Sequence, residues 1–271
     1  MTGDAARIQR NAIGSWRRLG GEVQVLLVGD DQGVAALAVE LGVDHVGGTA
    51  TNEYGTPRLD AVFAAAHDAA RHRLLCFANA DIVLGPDLVA AARLLESRFP
   101  SFLAIGESWD APLGELDFGA DWERDVTAAF AGSRRRGAGA LDFFVFTDDL
   151  FRELPPFVVG RVGFDNWLVW RAQEQGAAVV DATGAVRPLH QRHDYGHLSG
   201  GRQATRHESP EGGRNVELAG GKRHLYTRYD ATHVLSRTRV RRNVLRPFRL
   251  KERARKAAYK LRLLTPWPPR T

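Results

Sequence analysis

The chain has 271 residues, 44% hydrophobic and 25% charged, with a formal net charge of +5. Those values exclude a disordered chain and leave enough apolar residues for one large or two small globular domains. The lone cysteine, Cys76, excludes an internal disulfide, and no apolar signal-peptide core or membrane-spanning run occurs, so a reducing, cytoplasmic setting with Cys76 buried is expected.

In chain order, VQVLLVG (Val23 to Gly29) reads as a buried strand, GVAALAVELG as a helix closed by Gly42, and VDHVGG as a short second strand. TPRLDAVFAAAHDAARH follows as a helix with Pro57 in its first turn, Thr56 as cap, and Leu59, Val62, Phe63 and Ala66 on one face. LLCFANADIVL is the next strand, GPDLVAAARLLESRF the next helix, and FLAIGESW a strand again. Between Glu107 and Arg136 the pattern becomes irregular, ending in the flexible-looking turn GSRRRGAG. ALDFFVFTDDLF predicts a strand and the start of a helix, GFDNWLVWRAQEQG a helix beginning near Asp165 and ending at Gly176, and AAVVDAT a further strand. After it, VRPLHQRHDYGHLSGG reads as a histidine-rich loop. Alternation of strands and helices predicts an α/β fold with an open, mainly parallel sheet covered by helices on both faces. Residues 237–262 hold 12 Lys or Arg against one acid, a net +11 that leaves −6 for the rest of the chain. The expected organisation is therefore a domain over 1–236 and a basic helical extension over 237–271, interrupted at Pro247.

Chemistry is expected where polar residues end buried strands, because ligands of open α/β sheets sit at the carboxyl ends of the strands. Asn79-Ala80-Asp81 cuts an apolar run in this way. Asp81 either caps the following helix or supplies a hard oxygen ligand for Mg²⁺ or Mn²⁺, and Gly85-Pro86-Asp87 already resembles the helix start. Asp165 and Asn166 open a helix after Gly160 and Gly163, where Asp165 is either an N-cap or a general base for a hydroxyl nucleophile. His190, His193 and His197 lack the i, i+4 pairing of a helical zinc site, but one of them can complete the coordination of a metal held by Asp81. Asp30 and Asp31 either cap a helix or contact a ribose or base. No dinucleotide fingerprint, Walker A sequence or nucleophile elbow is present.

Taken in order, VGDD, YGTPRLDAVFAAA, LLCFANADIVL, GFDNWLVWRA and a histidine after the next strand resemble glycosyltransferases of the GT-A fold, over roughly residues 9 to 221. The resemblance implies transfer of a sugar from a nucleotide-sugar donor to an acceptor hydroxyl, with a divalent cation on the donor diphosphate. By that resemblance Asp81 and His190 are metal ligands, with His193 as a substitute for the latter, and Asn79 stands in the position of the first Asp of the D-x-D motif. Arg58 is implied near the diphosphate, Asp30 near the base or ribose, and Asp165 as the base of an inverting transfer. Trp109 and Trp122 are candidates for stacking on a sugar. QRNAIGSW matches a helix that in that family follows an opening strand, so that strand is expected to be missing. Two other functions fit the same residues, a non-catalytic sugar-nucleotide or partner-binding protein and a nucleotidyltransferase. The basic extension is expected either to lie on an anionic membrane surface, placing a lipid-linked or cell-envelope glycan acceptor within reach, or to be a solvated tail. Nucleic acid is not an expected partner, because the body is acidic.

Overall fold

The computed structural model describes residues 3–119, 121–193 and 201–246. His197 and the extension beyond residue 246 lie outside them. The elements in order are α1 (Gly3–Arg17), β1 (Leu26–Val28), α2 (Val34–Leu41), β2 (Asp44–Val46), α3 (Leu59–Ala69), β3 (Leu74–Ala78), β4 (Ile82–Val83), α4 (Asp87–Glu96), β5 (Phe102–Glu107) and β6 (Trp109–Ala111). They continue with α5 (Trp122–Ala129), β7 (Arg134–Arg135), β8 (Leu141–Thr147), α6 (Phe164–Glu174), β9 (Ala178–Gly184), β10 (Leu189–Gln191), α7 (Pro210–Leu218), β11 (His233–Ser236) and β12 (Arg239–Arg242).

Six strands form the main sheet in the order β12-β11-β9-β5-β8-β3. Every residue of β5 and β8 is buried because both faces are covered. Leu103, Ile105, Phe144 and Phe146 pack with Leu59 and Phe63 of α3 and with Leu168 and Val169 of α6. Their neighbours Phe102, Ala104, Phe143 and Val145 point the other way, against Leu88, Ala91 and Leu95 of α4. The expected two-sided cover is present, but the sheet is mixed rather than mainly parallel: β9 runs parallel to β5 and β11, whereas β8 is antiparallel to both β5 and β3. A strand buried on both faces reads as a continuous apolar run in either direction, so its hydrophobicity carries no information about polarity.

Other expectations change locally. The basic stretch begins not as a helix but as β12, which pairs antiparallel with β11 along the sheet edge. After β8 the chain makes a turn instead of a helix, with Phe151 at φ 60°. Cys76 lies on β3, the other edge strand, and is exposed rather than buried. Among the described residues, no helix is long and apolar enough to cross a membrane.

A second sheet, β4-β10-β6-β7, packs on α5 through Val83, Ala111, Leu116, Trp122, Val126 and Leu189. Trp122 is thereby part of a core and is not available to stack on a sugar. β1 and β2 form a separate parallel pair. Leu168 is fully buried between α6 and the main sheet, so Leu168→Ala should cost about 2–5 kcal/mol in urea unfolding, through lost transfer energy and the cavity left behind.

Candidate active site

The apolar run that Asn79-Ala80-Asp81 interrupts is two strands in different sheets. β3 pairs with β8 in the main sheet, and β4, three residues later, pairs antiparallel with β10 in the second. Asn79 stays with the first: its backbone N–H donates to the Asp142 carbonyl at 3.2 Å and its amide to the Asp142 carboxylate at 3.4 Å. Asp81 stands where the chain crosses between the sheets. It does not cap α4, whose first turn begins at Asp87.

His190 and His193 meet Asp81 there. Nε2 of each lies 3.2 Å from Asp81 Oδ2. One ligand atom from each of the three residues falls within 4.8 Å of the other two. His190 lies on β10 and is buried, not on a loop, and its register partner across the parallel pair with β6 is Asp110. Its Nδ1 is 2.9 Å from Asp110 Oδ1. The opposite side of β10 is braced by Gln191, which donates to the carbonyls of Ile8 and Asp81 while its own carbonyl accepts from buried Asn11 of α1.

The electrostatics follow from this packing. Burial alone would raise the Asp81 carboxyl, but hydrogen bonds from His190 and His193, together with their charge, hold it well below the usual carboxylate range. Burial opposes charge on His190, yet the hydrogen bond and charge of Asp81 outweigh it and raise its affinity for a proton. Among the described residues, Asp81 Oδ1 is buried without a hydrogen-bond partner. Two imidazole nitrogens and a carboxylate with an unused oxygen suit a divalent cation with remaining positions open to water or substrate.

Asp165 lies in the first turn of α6, partly buried, and accepts from the Gly163 N–H at 3.1 Å. Burial, reinforced by the nearby Asp142 charge, pushes its carboxyl up to about 7 against the pull of backbone hydrogen bonds from Asn166 and Gly163. Asp142 links the two halves of the site, since its charge acts on both Asp165 and His190. It is compensated by Arg136 at 2.8 Å and by the Ser108 hydroxyl, which donates to it.

Two other expected residues are engaged elsewhere. Both Asp30 oxygens accept from the backbone of the loop after β2, Gly48 at 2.8 and 2.9 Å and Thr49 at 3.1 Å. Arg58 forks onto Asp60 at the start of α3. Trp109 is flanked by guanidinium groups, Arg135 at 5.1 Å and Arg187 at 5.8 Å from its ring centre. Asp110, Asp142 and Arg136 were not anticipated. Asp142 carries a readable signal, a carboxylate inside the apolar run ALDFFVF, whereas Asp110 sits in an irregular stretch that carries none. No family model and no curated protein matches the chain.

A carboxyl whose folded value is raised from 3.8 to about 7 favours the folded state fully only below the lower value, and that contribution is lost as pH rises through the higher one. Asp165→Asn removes the loss. Melting temperatures of wild type and variant should therefore diverge between about pH 4 and about pH 7, the wild type falling relative to Asn, and run parallel above that; parallel curves throughout would exclude the raised carboxyl.

Proposed function

We propose that this protein is a metal-assisted glycosyltransferase that moves a sugar from a nucleotide-sugar donor to an acceptor hydroxyl. The observation that carries the reading is the convergence of Asp81, His190 and His193 beyond the carboxyl end of β3, electrostatically linked through Asp142 to a second carboxyl, Asp165, that titrates near neutrality. A general base works best when its affinity for a proton matches the operating pH. The finer GT-A assignment rests on the motif order in the sequence.

Asp81, His190 and His193 would hold Mn²⁺ or Mg²⁺. When bound, the cation supplies positive charge to the diphosphate of the departing nucleotide. Arg136, close to His190 but paired with Asp142, adds a fixed positive charge on the same side. Asp165 accepts the proton of the acceptor hydroxyl as its oxygen forms the bond to the anomeric carbon. The bond from that carbon to the diphosphate oxygen breaks, and its electron pair leaves with the nucleoside diphosphate. Attack opposite the leaving group inverts the anomeric centre. Asn79, held on Asp142, acts through that carboxylate rather than as a charged ligand.

The test is calorimetric titration with Mn²⁺ and a panel of nucleoside diphosphates and nucleotide sugars, beside Asp81→Ala and Asp165→Asn. Metal-dependent binding should vanish in Asp81→Ala and persist in Asp165→Asn, whose turnover should fall by about 10²-fold or more. Wild-type turnover should rise with pH up to about 7 and then level, as Asp165 loses its proton. Binding unaffected by Asp81→Ala would sink the metal assignment, and full turnover in Asp165→Asn the base.

A further inference from the structure

Asp110 is the buried-side partner of the histidine that faces Asp81, and nothing in the sequence pattern marks it. It lies opposite His190 in the parallel register of β6 and β10, so the two side chains leave the same face of the second sheet. Its Oδ1 is 2.9 Å from His190 Nδ1, while Oδ2 is taken by Arg192 Nε at 3.1 Å, with Arg134 Nε at 3.9 Å. The carboxylate is only 17% exposed and the His190 side chain 5%. Each Asp110 oxygen therefore has a separate task. The arginines hold the carboxylate in place, and the other oxygen is presented to the imidazole.

A carboxylate beside Nδ1 accepts a hydrogen bond only if Nδ1 carries the proton. A neutral ring in that tautomer has its lone pair on Nε2, the atom that points at Asp81 Oδ2 from 3.2 Å. Two lone-pair donors facing each other at that separation repel unless something positive lies between them, a proton or a metal ion. Ligating histidines commonly have such a carboxylate on the far nitrogen, where it sets the tautomer, aims the ring and strengthens the nitrogen as a donor.

We propose that Asp110 is a positioning residue for the Asp81–His190–His193 centre, fixing the His190 ring and its tautomer so that Nε2 is offered to a divalent cation. This rests on the metal reading above and adds to it a residue that touches neither the metal nor the substrate. Asp110→Asn is nearly isosteric, but it removes the charge, and its amide group can donate to Nδ1 and so select the opposite tautomer.

The experiment measures binding of Mn²⁺ and Co²⁺ alone to the full chain, in wild type, Asp81→Ala, Asp110→Asn, Asp110→Glu, His190→Ala and the double variant Asp110→Asn/His190→Ala. Asp110→Asn should weaken binding by about 10–100-fold and alter the visible absorption of bound Co²⁺, and Asp110→Glu should restore part of the loss. In the His190→Ala background the Asp110 substitution should have no further effect, because its influence passes through that ring. A merely structural Asp110 would lower the melting temperature and leave metal affinity and the Co²⁺ spectrum unchanged, which overturns the proposal. Equal losses from Asp110→Asn with and without His190 also overturn it. Wild type that binds neither ion overturns the metal reading and this inference together, whereas wild-type binding lost in Asp81→Ala but kept in Asp110→Asn overturns this inference alone.

Discussion

The contact between Asp81 and the two imidazoles lies where the chain passes between two sheets, whose packing is already shared through Ile82 of β4, buried with Phe102, Ala104 and Phe143 of the main sheet. β3 belongs to the six-stranded sheet and β4 to the four-stranded one, and the chain covers the distance in three residues. A carboxylate buried at that seam costs several kcal/mol unless cationic or hydrogen-bonding partners answer it. Two rings from β10 and the residue shortly after it do so. Because Gln191 lies between them and is tied to Asn11 of α1 and to the carbonyl of Asp81, the geometry is imposed from both sides. The seam is thus held by α1, β4, β6 and β10 at once.

Charge compensation extends along the same end of the main sheet. Asp142 at the start of β8 is paired with Arg136. Glu107 at the end of β5 accepts from the Gly137 N–H and lies 3.1 Å from Arg228, which also reaches Asp181 of β9 at 2.9 Å. Buried acids on adjacent strands would repel one another strongly without these guanidinium groups. The acids are staggered rather than aligned, Glu107 lying opposite Leu141 beside a register shift in the β5–β8 pair and Asp181 opposite Ile105, and both arginines come from outside the strands of this sheet. Asp165 is the exception. Among the described residues it meets only backbone donors, and burial together with the like charge of Asp142 drives its carboxyl towards neutrality.

The opposite end of the molecule is organised by packing rather than charge. α3, α6 and α4 present apolar faces to the two sides of β5 and β8, and aromatic rings fill the larger layer, with Phe63 stacked on Phe146 at 5.5 Å and Phe146 edge-on to Phe151 at 5.1 Å. Such a core fixes the sheet rigidly while the polar end carries groups of opposing charge, the division expected of a scaffold that positions a site.

Local patterning was enough to determine much of the strand–helix alternation and the two-sided burial of the sheet, and to mark Asp81, Asp165 and one of the histidines after β9 as candidates, because each depends on residue type and short-range periodicity. A carboxylate cutting an apolar run is legible for that reason, and Asp142 inside ALDFFVF would have been found by the same rule. Strand direction, the exchange of the chain between two sheets at Asn79-Ala80-Asp81, and the turning of the first basic residues into an edge strand depend on long-range pairing that periodicity does not encode. The partners of the functional groups belong to that second class. Asp110 lies 80 residues from His190 in the chain, and only the register of β6 against β10 brings its carboxylate to the imidazole.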